Sequence, residues 1–193
     1  MIMITYKQVD ESCFKAYDEI PMLIHVNSVY APKAVNGGLG GIVFEEIKVE
    51  PYIRDMGLYG SVSDYSKQFD MSNWAVFMAF DGDKAVGGAI AASKTKEIRM
   101  LDGRDDLCVL FDLRVDDTCK GMGVGTKLLQ MVIEWSRANR LKQVKIESQT
   151  NNVPACKFYA KQGAVLRAVN EYAYLDDPYA REYEMQVVWY LDL

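Results

Sequence analysis

The sequence has one histidine and four cysteines among its 193 residues, and these small numbers exclude several kinds of site. The cysteines are Cys13, Cys108, Cys119 and Cys156. They form no Cys-x-x-Cys pair and do not suggest the disulfide framework of a short secreted protein, so reduced thiols are the better interpretation. A His-rich metal site is excluded, and a Ser-His-Asp or Cys-His triad would have to use His25. His25 lies in an apolar run, which favours a packed histidine.

Positive charge is also scarce, because 22 Lys and Arg residues stand against 27 Asp and Glu residues, for a net charge of −5. Proteins that bind nucleic acids depend on a basic surface, so we expect no nucleic-acid partner. A negative field instead concentrates cationic small molecules or amine-bearing partners. No apolar run approaches the ~20 residues that cross a bilayer, and we recognise no signal peptide. We therefore expect a cytoplasmic protein without a membrane partner.

Length and composition predict one globular domain, 1–193, since half of the residues are apolar and 25% are charged. An Asp-Gly turn between two apolar runs predicts a hairpin of Trp74–Phe80 with Lys84–Ala91. We also predict a helix from about Cys13 to Val26. A second helical segment is predicted from Pro51 through Met56.

Near the C-terminus, Asn152 and Pro154 predict the start of a short helix that runs through Lys161 and is ended by Gly163. The segments Val165–Tyr174 and Tyr183–Trp189 alternate enough to predict a final antiparallel pair of strands.

The most informative pattern is a βαβ unit in the C-terminal half. It comprises a strand at Leu107–Val115, a glycine-rich turn at Lys120–Gly125, an amphipathic helix, and a strand at Gln143–Ser148. Such a turn exposes backbone N–H groups at a helix N-terminus, where a phosphate binds. The spacing does not fit the Walker loop. A dinucleotide site remains an alternative because Glu147 could imitate its ribose-binding acid, and so does a turn without a ligand.

Apolar residues within the helix of this unit recur on a 3.6-residue period. They are Val124, Leu128, Met131, Trp135 and Ala138. This stripe predicts the side of the helix that packs on the sheet.

Two segments in this half resemble the signatures of the GNAT superfamily of acyl-CoA N-acyltransferases. They read Lys120-Gly121-Met122-Gly123-Val124-Gly125 and Asn152-x-x-Ala155-x-x-Phe158-Tyr159-x-x-x-Gly163. The first is similar to the family's Gln/Arg-x-x-Gly-x-Gly/Ala loop, and the second follows at the family's usual distance. Lys120 stands where the family usually has glutamine or arginine, so it keeps the positive charge without the planar fork.

The resemblance implies an α/β fold with a mixed, mostly antiparallel sheet, split between its two central parallel strands and with helices on both faces. It implies acetyl-CoA as the cofactor, with the cofactor-binding half at about 105–165. The implied contacts to acetyl-CoA are backbone groups of Leu113, Arg114 and Val115 on the pantetheine, the loop residues Lys120, Gly121, Met122, Gly123, Val124, Gly125 and Thr126 on the pyrophosphate, and Asn152 and Lys157. Asn152 would bond to the pantetheine arm or cap its helix, two roles that are compatible, with the cap the safer interpretation. Lys157 would reach the cofactor's phosphates, with a solvated lysine as the alternative.

Acetyl transfer to an amine requires a general acid, a base and a donor for the developing oxyanion. The resemblance implies Tyr159 as the acid, against the alternative of a packed aromatic beside Phe158, and a backbone N–H near Leu113 as the donor. Asp112 and Glu147 are the candidate bases or cation-binding groups, and a structural salt bridge is an equal alternative for them. Strand alternation would place Asp112 on the same side as Cys108 and Leu110, and Glu147 on the same side as Lys145 and Gln149. Cys156 lacks a histidine partner and is expected to pack as a small hydrophobic residue.

The C-terminal half most resembles streptothricin acetyltransferases. The segments concerned are Ile133–Trp135, Glu147–Gln149, Ala155–Lys161 and Trp189–Tyr190. The resemblance implies acetylation of a primary amine on a small cationic acceptor, either an antibiotic of the streptothricin or aminoglycoside kind or a polyamine. Attack would be direct, without an acyl-enzyme. A protein or peptide amine, or a non-catalytic acyl-CoA sensor, is the alternative, and homodimerisation stays open.

Overall fold

A computed structural model describes residues 3–193. Within them the strands are β1 (Ile4–Val9), β2 (Leu23–Ala34), β3 (Ile42–Asp55), β4 (Trp74–Asp81), β5 (Lys84–Ala92), β6 (Leu107–Val115), β7 (Gln143–Gln149), β8 (Val165–Asn170) and β9 (Gln186–Asp192). The helices are α1 (Phe14–Asp18), α2 (Val62–Gln68), α3 (Val124–Ala138) and α4 (Val153–Lys161).

The chain divides into two compact units that alternate along the sequence. The first unit comprises residues up to Met22, Asp55–Ile146 and Tyr190–Leu193. The second comprises Leu23–Arg54 and Glu147–Trp189. The predicted cofactor-binding half, 105–165, therefore includes residues of both units. A single domain over 1–193 stays a prediction.

The first unit contains most of a mixed sheet in the order β1-β4-β5-β6-β7. Its pairs are antiparallel from β1 to β6, and β6 pairs in parallel with β7. The predicted hairpin is confirmed, since β4 and β5 join through Gly82, whose φ of +58° is easily adopted by glycine. The prediction of a mixed, mostly antiparallel sheet is confirmed as well.

Strand β6 continues beyond its pairing with β7. The parallel register runs from Leu107↔Gln143 to Leu110↔Ile146, whereas β6 extends to Val115. On its other side β6 remains paired with β5 as far as Val115. Within the described part of the first unit, the last five residues of β6 therefore have a strand partner on one edge only, as the predicted split requires.

A β-bulge interrupts β6 just after that point. Ile90 of β5 pairs with Asp112 and Ala91 pairs with Leu110, so Phe111 is the extra residue. A bulge of this kind places two consecutive side chains on the same side of the sheet. Asp112 accordingly lies on the same side as Phe111, and the alternation after Phe111 is reversed.

Helices cover both faces of this sheet, as predicted. Gly87 and Gly88 are neighbours in β5, so their missing side chains point in opposite directions. A Cβ on Gly87 would lie 2.9 Å from Val124 of α3, and a Cβ on Gly88 would lie 2.2 Å from Tyr17 of α1. Glycine at both positions allows the two helices to approach the strand closely.

The predicted apolar stripe of α3 is only half correct. Val124 and Leu128 are buried, but Met131 and Trp135 are half-buried and Ala138 is exposed. The other buried residues of α3 are Leu129, Val132 and Ser136. The buried row thus runs in steps of four from Val124 to Ser136. Because serine is polar, hydrophobic periodicity does not predict that this position is buried.

The second unit contains a two-stranded sheet of β2 with β3, the strand order β7-β9-β8, and α4. Of two helices predicted from local sequence, the first is confirmed only at its start, and the second is wrong. The first ends at Asp18, shortly before Pro21, because the residue directly before a proline rarely adopts a helical conformation. Strand β2 then begins at Leu23. Pro51 lies inside β3, where an edge strand tolerates the missing N–H.

None of the helices in residues 3–193 is long and apolar enough to cross a membrane.

Candidate active site

The glycine turn lies in the first unit, directly before α3. Gly121 and Gly123 have φ angles of +78° and +84°, which residues with a Cβ rarely adopt. Gly123 is the N-cap of α3, and as a glycine it has no side chain with which to cap the first turn. A Cβ built on Gly121 or Gly123 would meet no atom within 4 Å. The N-terminus of α3 therefore adjoins open space.

These properties fit a phosphate-binding turn. The first N–H groups of a helix lack intrahelical partners, and the positive end of the helix dipole favours an anion. Lys120 adds a positive charge at the turn, where its ammonium forms an ion pair with Asp117 at 2.5 Å. Met122 is half exposed. The residues present can therefore hold the pyrophosphate of a coenzyme A molecule.

The end of β6 offers the second set of backbone groups. Leu113, Arg114 and Val115 pair with Ala89, Gly88 and Gly87 of β5. Their opposite edge lies beyond the last residue that pairs with β7. An extended chain with amide groups, such as pantetheine, can pair with an edge of this kind in the manner of an added strand.

Asp112 is bound by Arg114. Arg114 Nε lies 3.1 Å from both carboxylate oxygens, and Nη2 bonds to Oδ2. Asp112 and Arg114 are each 6% exposed. Arg114 Nη1 also donates to the carbonyl of Ile20 at 3.2 Å, and its guanidinium lies 5.1 Å from the Tyr17 ring centroid. This arrangement corresponds to the salt-bridge alternative for Asp112.

The predicted side for Asp112 is wrong. Asp112 is bonded to Arg114, whose guanidinium contacts the ring of Tyr17 on α1, so Asp112 lies on the α1 side of the sheet. Cys108 instead lies beside Ser136 of α3. Burial, and after it the Asp112 carboxylate, raises the pKa of the Tyr17 phenol well above its usual range. The bulge at Phe111 is the cause, since it reverses the alternation between Cys108 and Asp112.

Helix α4, in the second unit, begins and ends as predicted. Asn152 Oδ1 accepts the Ala155 N–H at 3.2 Å, Pro154 lies in the first turn, and Gly163 follows the helix with φ of +90°. The capping alternative for Asn152 is therefore confirmed. A cap through Oδ1 leaves the amide NH₂ available as a donor.

Tyr159 and Lys157 also lie on α4. Tyr159 is 7% exposed, and its ring meets that of Phe158 edge-on with centroids 5.3 Å apart. The Lys157 ammonium bonds to Glu46 Oε2 at 2.6 Å, and Glu46 Oε1 accepts from Ser28 at 2.7 Å. In this conformation Lys157 is ion-paired rather than purely solvated.

Glu147 lies on β7, where two neutral donors contact its carboxylate. Tyr174 Oη donates to Oε1 at 2.7 Å, and Gln186 Nε2 donates to Oε2 at 2.7 Å. Gln149 Nε2 in turn donates to Tyr174 Oη at 3.3 Å, so Glu147 and Gln149 share a side of β7 as predicted. Sequence reasoning missed Tyr174 and Gln186. It placed Tyr174 at the end of a strand, but β8 ends at Asn170.

The remaining candidates for covalent chemistry are unsuited to it. Cys156 is buried, its Sγ lies 3.6 Å from Ser148 Oγ, and burial raises its pKa to about 11. The prediction that Cys156 packs as a small hydrophobic residue is confirmed. His25 is exposed on β2, so the expectation of a packed histidine is wrong. Residues 3–193 contain no cluster of His, Cys, Asp and Glu that could hold a metal ion.

The model of the acetyltransferase (GNAT) family matches residues 44–164, which include the glycine turn, β6, β7 and α4. The chain belongs to the GNAT family. It is an acetyl-CoA-dependent N-acetyltransferase. The predicted family, enzyme class and cofactor are confirmed.

Two curated bacterial relatives of this acetyltransferase cover most of its length. A streptothricin acetyltransferase of Escherichia coli is 31% identical over 131 residues, which are 67% of this chain and 72% of the relative. Streptothricin acetyltransferase A of Bacillus subtilis (strain 168) is 28% identical over 127 residues, 65% of this chain and 72% of that protein.

Solved structures show the same fold over nearly the whole chain. A nourseothricin acetyltransferase matches with a TM-score of 0.76 and 18% identity, covering 98% of both chains. A Bacillus anthracis protein described as a streptothricin acetyltransferase, solved with acetyl coenzyme A, matches with a TM-score of 0.79 and 20% identity, covering 99% of this chain and 100% of the other. The predicted fold class is confirmed.

Proposed function

We propose that this acetyltransferase acetylates a primary amine of a small cationic antibiotic of the streptothricin kind. The observation that carries the proposal is the 31% identity to the Escherichia coli streptothricin acetyltransferase over 72% of that protein. The net charge of −5 supports it, since a negative field attracts a cationic acceptor. Aminoglycosides and polyamines share that charge and are the next candidates.

In the first unit, we assign backbone N–H groups of Lys120 through Thr126 to the cofactor's pyrophosphate, and the free edge of Leu113–Val115 to its pantetheine amides. Bound acetyl-CoA supplies an acetyl group activated as a thioester. A backbone N–H near Leu113 stabilises the charge that develops on the thioester oxygen.

In the second unit, Tyr159 is the proposed general acid, which protonates the departing sulfur. Glu147 is the proposed base, because its carboxylate accepts hydrogen bonds from two neutral donors and keeps lone pairs that can accept a proton. Asn152 contacts the pantetheine arm through its amide NH₂. Lys157 leaves its ion pair with Glu46 and binds the cofactor phosphates instead.

We propose that the amine attacks the thioester directly. An acyl-enzyme would need a thiolate, and the buried Cys156 thiol, with its pKa raised to about 11 by burial, is protonated at neutral pH. His25, the one histidine in the sequence, lies exposed on β2. No histidine is thus placed to activate Cys156.

An amine panel tests the acceptor. Thiol release is followed with acetyl-CoA and streptothricin, an aminoglycoside, a polyamine, and a peptide with a free amine. We expect the highest kcat/KM with streptothricin. A preference for the peptide would overturn the proposed acceptor, and cofactor binding without turnover of any amine would favour the sensor alternative.

Acetyl-CoA is expected to stabilise the protein against heat, whereas NADH and ATP are not. At 100 times its dissociation constant a ligand adds about 2.7 kcal/mol to the free energy of unfolding. For a chain of this size that raises Tm by about 5–10 °C. Differential scanning fluorimetry measures the shift. An equal shift with NADH would revive the dinucleotide alternative.

Replacing Gly123 by alanine is expected to weaken acetyl-CoA binding about 100-fold, because the new methyl occupies the space beside the N-terminus of α3 where a phosphate oxygen must approach. Gly103→Ala is the matched control. Gly103 also has a positive φ, +69°, and a Cβ there also meets no atom within 4 Å. Both variants should lose similar stability, and calorimetry should find weaker binding only for Gly123→Ala. Normal affinity in that variant would show that the turn is misassigned.

A further inference from the structure

The Glu147 carboxylate differs in its partners from Asp112 and Glu184, the two buried carboxylates of the described residues. Asp112 is neutralised by Arg114, and Glu184 by Arg54. Within residues 3–193 the structure gives Glu147 no ion pair, and its contacts are the neutral donors Tyr174 and Gln186. A carboxylate held in this way keeps a negative charge that no protein cation balances.

The two donors occupy one oxygen each, both at 2.7 Å. A carboxylate has about four lone-pair directions, so two remain for a further donor. The Tyr174 phenol is a permanent donor, because burial and then the Glu147 charge raise its pKa above its usual range.

Tyr174 is itself held in place on both sides. Gln149 Nε2 donates to its hydroxyl at 3.3 Å, which directs the Tyr174 proton towards Glu147. The segment between β8 and β9 that contains Tyr174 is anchored near its other end by Glu184. Glu184 forms a bidentate pair with Arg54, at 3.0 Å and 2.9 Å, and the two residues are 6% and 4% exposed.

We infer that Tyr174 and Gln186 are positioning residues that hold Glu147 as an uncompensated carboxylate for the ammonium group of the acceptor. The inference rests on the proposed function and adds to it how the acceptor is recognised. The ammonium supplies the missing positive charge when it binds. Its proton then passes to Glu147, and the neutral amine is the nucleophile.

The test is a double-mutant cycle on Tyr174→Phe and Glu147→Gln, measured as kcat/KM for the preferred amine. Tyr174→Phe keeps the ring and removes the donor, so kcat/KM should fall about 10–100-fold, the range for a hydrogen bond to a charged group. KM for acetyl-CoA should stay within about twofold. In the Glu147→Gln background the same change should cost less than about threefold, since the carboxylate is already gone.

Two further variants complete the experiment. Gln186→Met removes the second donor at similar length, and it should also lower kcat/KM without changing KM for acetyl-CoA. Tyr172→Phe is the matched control in the same segment, because Tyr172 is 72% exposed, and it should retain wild-type kinetics.

Additive losses in the cycle would mean that Tyr174 acts on stability or packing, and would overturn the inference. Full activity of Tyr174→Phe with an impaired Glu147→Gln would overturn it as well, while the proposed function would stand. Full activity of Glu147→Gln would remove Glu147 as the base and the inference with it. A wild-type enzyme that turns over no cationic amine would instead overturn the proposed function itself.

Discussion

Replacing Tyr159 by phenylalanine is expected to lower turnover about 10²–10⁴-fold, the usual contribution of general acid catalysis. The variant keeps the ring that meets Phe158 edge-on, so most of the packing is preserved. Without the hydroxyl, the departing sulfur must leave unprotonated or take a proton from water. Acetyl-CoA affinity should be nearly unchanged, because the hydroxyl is proposed to act on the sulfur during the reaction.

Steady-state turnover on an accepted amine measures this effect, with acetyl-CoA affinity measured separately by calorimetry. Single-turnover kinetics are needed too, since slow product release would conceal a slower chemical step. The packing alternative for Tyr159 predicts a different result. The rate would stay within about threefold of wild type, with at most a small loss of stability from a missing hydrogen bond.

Replacing Asp112 by asparagine is expected to cost about 3–5 kcal/mol of folding free energy, because the buried Arg114 charge is then left unpaired. Denaturant unfolding measures the loss. If Asp112 were the general base instead, Asp112→Asn would lower turnover strongly at nearly wild-type stability, and that result would contradict the structural assignment.

A double variant separates the loss of the ion pair from other damage at this position. Replacing a buried pair by apolar residues of similar volume is often neutral for stability. Asp112→Leu with Arg114→Met should therefore recover most of the stability that Asp112→Asn loses. The recovery would be incomplete, because the double variant also loses the hydrogen bond from Arg114 Nη1 to the Ile20 carbonyl.

Elements that depend on local signals were predictable from the sequence. Helix α4 begins and ends where Asn152, Pro154 and Gly163 place it, since caps and positive φ angles act within one turn. The hairpin at Gly82 and the strand at Leu107–Val115 follow from turn chemistry and a run of apolar residues. The two family signatures are local patterns as well, which is why the enzyme class and the cofactor could be predicted.

The tertiary structure alone decided the rest. The residues 23–26 and 51–55 are strands because β2 and β3 pair with each other, and their own sequences suggested helices. Asp112 faces α1 because a bulge follows from the register of β6 against β5. The donors to Glu147 come from residues 27 and 39 positions away in the chain. Such contacts depend on how distant segments pack, and local propensity carries no information about that packing.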